Sequence, residues 1–145
     1  MSVRRSLLVA AVALGVAGGA LVHSLGSTAA PSLALPELHG QMSWAPGKRP
    51  APPLAALRRL RGRTAVLALV QPGCPGCAQL RAELASVIRR LPRADRPGLV
   101  FAPGTRTPVA YLVDRRGDER TGYLFPFAPA FIEGDLHALA TERLP

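Results

Sequence analysis

The run Ala65–Val70 constrains the fold of this chain more than any other segment. Its six residues are all Ala, Val or Leu, without the polar alternation of a strand that faces water on one side. A run of this kind is typical of a central strand whose sheet is covered by helices on both faces. The sequence therefore predicts an α/β fold with this strand in the middle of the sheet.

Helix and strand patterns follow in an order that builds such a sheet. Apolar residues at helical spacing predict a helix from Cys74 to Pro92, with a buried face formed by Cys77, Leu80, Leu84, Val87, Ile88 and Leu91. The other predicted elements are a helical turn over 54–60, strands over 99–101 and 109–113, a hairpin partner over 119–125 and a closing helix at Leu136 and Leu139. The order is strand, helix, strand, strand, strand, helix.

The connection between the second and third strands is short for an α/β sheet. If these two strands lie on either side of the central strand, residues 103 to 107 carry the chain from one to the other, a distance of about 10 Å. Five residues at roughly 3.3 Å each can cross it without a helix. The crossing loop is predicted to lie beside the two cysteines.

Cys74-Pro75-Gly76-Cys77 contains the only two cysteines of the chain. With Pro75 at the first helical position, Cys74 would sit at the helix N-terminus, where unpaired N–H groups and a partial positive charge stabilise a thiolate. We predict that Cys74 is the attacking thiol and that Cys77, one turn into the helix and more buried, is the resolving thiol. Gly76 allows the turn to close.

Other interpretations of this pair stay open at the level of sequence. They are a purely structural disulfide, half of a zinc site, Cu(I) held by two thiolates and a histidine, or a fold retained after its chemistry was lost. Structural zinc normally takes four ligands, and the chain has only three histidines, His23, His39 and His137. No metal site and no bound cofactor is predicted, apart from the redox-active disulfide itself.

The N-terminus predicts export. Arg4 and Arg5 precede sixteen residues, Leu7 to Val22, that are only Leu, Val, Ala and Gly. We interpret residues 1–30 as a membrane anchor or a signal peptide, with residues 6–30 in contact with the membrane. An uncleaved anchor is favoured because Pro31 is awkward for a peptidase. It would leave the N-terminus in the cytoplasm and the domain on the periplasmic side of a bacterial inner membrane.

Composition separates a tether from the domain. Residues 31–53 are rich in proline and predict an extended tether in which Trp44 docks on the domain, so residues 54–145 form the folded unit. The net charge is +9. Nucleic acid is a poor partner because the few aromatic residues do not alternate with the arginines. Attraction of the basic residues 48–63 to anionic lipid and a solvated basic surface are both compatible with the charge.

Residues 54–145 resemble the membrane-anchored thioredoxin-like proteins of the cytochrome-maturation type. The resemblance is carried by Leu54-Ala55-Ala56-Leu57-Arg58, by Gly62-Arg63-Thr64-Ala65-Val66-Leu67 before the Cys-X-X-Cys motif, and by Thr107-Pro108 before an apolar strand. It implies a minimal thioredoxin-like fold with about four strands in a mixed sheet, flanking helices and one helix missing. It also implies a protein thiol–disulfide oxidoreductase in which Pro108 is preceded by a cis peptide and packs on the cysteines. Pro75, Gly76 and Thr107 would then contact the substrate.

Three positions depart from the family pattern. Gly73 replaces the usual aromatic residue before the first cysteine, and Ala68 and Leu80 stand where a buried acid would move protons for the resolving thiol. Sco-type copper chaperones share the anchor and fold, but have three residues between their cysteines and a histidine in a late loop. Copper delivery is therefore the second hypothesis, and a non-catalytic subunit of a membrane complex is the third.

Overall fold

The computed structural model describes residues 34–104 and 106–143, which fold around one mixed five-stranded sheet. The strands are β1 (Met42–Ser43), β2 (Ala65–Val70), β3 (Gly98–Pro103), β4 (Val109–Val113) and β5 (Glu119–Leu124). The helices are α1 (Ala55–Arg58), α2 (Cys77–Arg90) and α3 (Pro129–Thr141), with a 3₁₀ turn at Arg93–Asp95. The α/β class is confirmed, and so is the predicted order from β2 to α3.

β2 lies inside the sheet, whose strand order is β1-β5-β4-β2-β3. It pairs in parallel with β3 and antiparallel with β4, as the crossing argument assumes. Val66, Ala68 and Val70 point into a core shared with α2 and α3. Ala65 and Leu67 point into a second core beneath α1. The continuous apolar run thus arises because both faces of this strand are covered.

The crossing from β3 to β4 occupies residues 104–108, and the described residues of this connection form no helix. Gly104 begins it, and its N–H donates to the carbonyl of Val70 at 3.0 Å. A Cβ on Gly104 would lie only 2.6 Å from the Cβ of Leu69. A glycine is required because the loop backbone passes directly over β2.

The fifth strand comes from the proline-rich segment that composition assigns to a tether. Met42 pairs with Gly122, and Ser43 pairs with Thr121. The Trp44 N–H then donates to the carbonyl of Arg120 at 2.8 Å. Residues 42–44 therefore belong to the folded unit, and the sheet has five strands rather than about four. Two residues of strand pairing are too short to show as an alternating pattern in the sequence.

The predicted anchor, residues 1–30, lies outside the described residues. None of the helices within 34–104 and 106–143 is long and apolar enough to cross a bilayer.

Candidate redox site

The cysteine motif follows the end of β2 as a turn rather than as the start of the helix. The Cys77 N–H donates to the carbonyl of Cys74 at 3.4 Å. Gly76 has φ 84° and ψ −10°, the values of the third residue of a type II turn, and Pro75 precedes it at the position where such turns favour proline. The left-handed Gly76 is the N-cap of α2, which begins at Cys77.

The expectation that Pro75 occupies the first helical position and that Cys74 caps the helix is therefore wrong. A left-handed residue cannot continue a right-handed helix, so Gly76 delays the helix until Cys77. The positive end of α2 lies next to Cys77 and three residues beyond Cys74. Cys74 consequently receives less stabilisation from the helix than the sequence alone predicts, because this effect is confined to the first turn.

The two thiols are joined, and they differ in exposure. Cys74 and Cys77 form a disulfide with their Cα atoms 5.6 Å apart. Cys77 is 8% exposed and packs in the core between the sheet and α2, whereas Cys74 is half-buried. An incoming sulfur therefore reaches Cys74 more easily than Cys77.

Cys77 has apolar surroundings. Ala68 and Leu80, the positions where a proton-carrying acid is expected from the resemblance, are fully buried in the same core cluster as Cys77. An apolar site disfavours the charged thiolate. Neither of these two side chains can carry a proton to or from Cys77.

An open groove runs past Cys74. It is lined by residues 71–75, by residues 106–108 of the crossing loop and by Phe125. The predicted site residues Cys74, Pro75, Thr107 and Pro108 thus meet at one end of the sheet. They meet there because β2 stops at the end of the sheet where β3 also stops and β4 begins, so the loop between β3 and β4 lies beside the cysteine motif.

Pro108 lies in this groove, but the predicted cis peptide before it is not found. Within the described residues the cis peptide is Phe125–Pro126. The two segments are adjacent, since the Phe125 N–H donates to the carbonyl of Pro108 at 3.0 Å. Pro108 itself is buried. The peptide bond before Pro108 is trans, and Pro108 is one of the residues that line the groove.

Phe125 was not singled out by the sequence. A Cβ built on Gly76 would lie 3.2 Å from two carbon atoms of the Phe125 ring, so this ring lies close against Gly76 of the cysteine turn. The ring of Phe125 is in turn nearly perpendicular to that of Phe127, with ring centroids 5.6 Å apart. An aromatic residue next to a proline at the end of the last strand is the only signal in the sequence for this wall of the groove.

A buried acid does occur in the core, but on another element. Asp135 of α3 is fully buried and accepts hydrogen bonds from the Tyr123 hydroxyl at 2.5 Å and from the His39 N–H at 2.8 Å. The His39 ring Nδ1 lies 2.8 Å from the other oxygen. Burial, the hydrogen bond to Asp135 and the charge of Asp135 raise the pKa of Tyr123. The carboxylate is fully partnered, and it fastens the segment before β1 to α3.

Both described histidines are engaged away from the cysteines, His39 with Asp135 and His137 with Asp95 at 2.8 Å. Within residues 34–104 and 106–143 no three His, Cys, Asp or Glu side chains are grouped so that they could hold a metal ion. The copper hypothesis gains no third ligand from these residues.

Comparison of the chain with protein-family models, with curated proteins and with solved structures finds no match. The strand order and the position of the motif are compatible with a thioredoxin-like arrangement.

Proposed function

We propose that this protein is a thioredoxin-like thiol–disulfide oxidoreductase that acts on protein disulfides or dithiols. The observation that carries the proposal is the asymmetry of one disulfide: Cys74 opens onto a groove and Cys77 is buried behind it. A disulfide that closes so short a loop adds little stability, because it restricts the unfolded chain only weakly. Stability alone is therefore a poor explanation for this pair. Anchoring in a membrane by residues 1–30, with the domain on the periplasmic side, belongs to the same proposal.

The chemistry is a two-step exchange. In the reduced protein the Cys74 thiolate attacks one sulfur of a partner disulfide, forms a mixed disulfide and releases the first partner thiolate. The Cys77 thiolate then attacks the Cys74 sulfur, restores the Cys74–Cys77 disulfide and releases the second partner thiol. Two electrons pass to the partner. The same steps in reverse oxidise a partner dithiol.

The geometry of the groove favours attack at Cys74 first and resolution by Cys77 second. The groove is open and is lined by both the cysteine turn and residues 106–108 of the crossing loop, so a chain segment of the partner can lie in it beside Cys74. The buried position of Cys77 keeps the second thiol from competing for the first attack. Cys77 is nevertheless the direct neighbour of the Cys74 sulfur, so it resolves the mixed disulfide without moving far.

Trapping tests the assignment of the two roles. A Cys77→Ser variant expressed in cells should accumulate mixed disulfides through Cys74, detected by mass spectrometry after rapid acid quenching. The matched control is Cys74→Ser, in which the only thiol is the buried one and few adducts are expected. Equal amounts of adducts in both variants, or none in either, would contradict the proposal.

The reduction potential separates an active couple from a structural disulfide. An exchange-active pair should equilibrate with glutathione or thioredoxin buffers at a potential above about −300 mV, whereas stable structural disulfides in secreted proteins lie below that value. A potential below it would sink the proposal even if Cys74 can be trapped. The value also fixes the direction, because low potentials suit a reductant and high potentials an oxidant.

A further inference from the structure

The wall of the groove beside Cys74 carries one charge. Among the described residues that line it, Arg106 is the only charged side chain, and no Asp or Glu is present there. The other lining residues are neutral, and Cys74 is the only one with redox chemistry. A partner segment seated in the groove therefore meets a cation and no anion.

Arg106 is also not engaged by any other residue within 34–104 and 106–143. It is exposed and makes no hydrogen bond, ion pair or ring contact with another residue of the described part of the chain. Other arginines are used internally: Arg120 binds Glu142 in the core, Arg90 binds Glu133, and Arg81 lies over the ring of Phe101. No other residue of the described part of the chain takes up the donors of this guanidinium, which are therefore open to a ligand in the groove.

Position in the chain places Arg106 where it can touch the partner rather than the core. It lies two residues before Pro108, on the crossing loop, and lines the same groove as Cys74. Exposed charges interact over about 8–10 Å at ordinary ionic strength. The residues of a partner chain next to its reacting cysteine fall within that range.

We propose that Arg106 is a specificity-determining residue that selects partner proteins with acidic residues beside the reacting cysteine. The inference rests on the proposed exchange function and adds the class of substrate to it. The guanidinium offers paired donors to a carboxylate, and it repels a lysine or arginine in the same place. The net charge of +9 favours acidic partners over the whole surface, whereas Arg106 acts at the site of exchange.

The test uses the whole 145-residue chain, reduced, and short synthetic peptides that carry one cysteine as a mixed disulfide with 2-thiopyridine. One peptide has aspartates beside the cysteine and the other has lysines. Cys74 attacks the peptide sulfur and releases pyridine-2-thione, which is followed by absorbance. Cys77 then releases the peptide thiol, so that one peptide disulfide is reduced for each Cys74–Cys77 disulfide formed.

We expect the wild-type protein to react faster with the aspartate peptide. Arg106→Gln should lower the ratio of the two rates by about two- to five-fold, the size of one exposed charge pair, and Arg106→Glu should lower it further. The matched control is Arg59→Gln, which removes the same charge next to α1, beside the opposite end of β2. It should leave the ratio unchanged. Added salt should shrink the effect of Arg106→Gln.

Three results would overturn the inference. If Arg106→Gln leaves the ratio of the aspartate-peptide rate to the lysine-peptide rate unchanged, Arg106 does not distinguish acidic from basic partners. Equal slowing of both peptides means that Arg106 acts on the Cys74 thiolate instead of the partner. Failure of the wild-type protein to react with either peptide removes the proposed exchange function and this inference with it, whereas the first two results leave the exchange function standing.

Discussion

Replacing Gly76 with alanine should destabilise the oxidised protein more than the same replacement at Gly73. Gly73 and Gly76 both adopt left-handed conformations, with φ values of 71° and 84°. An L-residue in that region costs roughly 1–2 kcal/mol. The two sites differ in space: a Cβ on Gly73 meets nothing within 4 Å, whereas a Cβ on Gly76 lies 3.2 Å from the Phe125 ring.

The expected magnitudes follow from these two terms. Gly73→Ala should lower the free energy of unfolding by about 1–2 kcal/mol. Gly76→Ala should cost the same amount plus about 1 kcal/mol, because the Phe125 ring must shift within an already packed wall. Gly62→Ala is a second control, since Gly62 has φ 85° and an open site. A sum near 2–3 kcal/mol is a large part of the stability of a small domain, and denaturant titration resolves it.

A double-mutant cycle identifies the source of the extra term. The difference between Gly76→Ala and Gly73→Ala should disappear when both are measured in a Phe125→Ala background, because no ring is left to displace. If Gly76→Ala costs no more than Gly73→Ala with Phe125 present, the packing of this ring on the cysteine turn is refuted. If neither Gly73→Ala nor Gly76→Ala destabilises the protein, the left-handed conformations of these two glycines are refuted.

Two further predictions concern buried polar groups outside the groove. Tyr123→Phe removes the hydrogen bond to the buried carboxylate of Asp135 and should cost about 1.5–3 kcal/mol in denaturant unfolding. The pKa of Tyr123 is raised, first by burial and then by Asp135. The stabilisation that goes with this shift is complete below the ordinary tyrosine pKa of about 10 and is lost as the pH rises above it. The free energy of unfolding should therefore fall less steeply above that pH in Tyr123→Phe than in the control Tyr111→Phe, which keeps Tyr123. Glu142→Gln removes the charged bidentate partner of the buried Arg120 guanidinium and leaves it the hydrogen bond to Asp114 at 3.3 Å, so it should cost about 1.5–3 kcal/mol. A loss below about 0.5 kcal/mol for Glu142→Gln would show that this ion pair behaves like an exposed one.

The sheet was predictable from the sequence because its central strand leaves an unambiguous signal. The run 65–70 matches β2 residue for residue, and 109–113 matches β4. Both strands are buried on their two faces, so continuous apolarity marks their bounds. β3 is longer than the predicted 99–101 because Gly98 and Pro103 pair with β2 while carrying none of the side-chain pattern of a strand.

The start of α2 and the wall of the groove were less accessible to sequence reasoning. Proline is common both at the first position of a helix and at the second position of a turn. Pro75 therefore favours two structures, and only the φ of Gly76 decides between them. The contact of Phe125 with Gly76 joins residues far apart in the chain. No local pattern reports such a contact, and the same holds for the placement of Arg106 and Cys74 in one groove.

The outer edge of the sheet has a consequence for the behaviour of this protein at high concentration. β3 is an edge strand, and the N–H groups of Gly98 and Gly104 both point inward to the β2 side, to Thr64 and Val70. Because the backbone alternates, the outward positions are 97, 99, 101 and 103. Proline, which has no N–H, occupies the first and last of them.

Only Leu99 and Phe101 are left to donate outward, and a proline bounds them on each side. Another chain has too few donors in a row to extend the sheet there. Copies of the domain at high concentration are thereby kept from pairing with one another along β3.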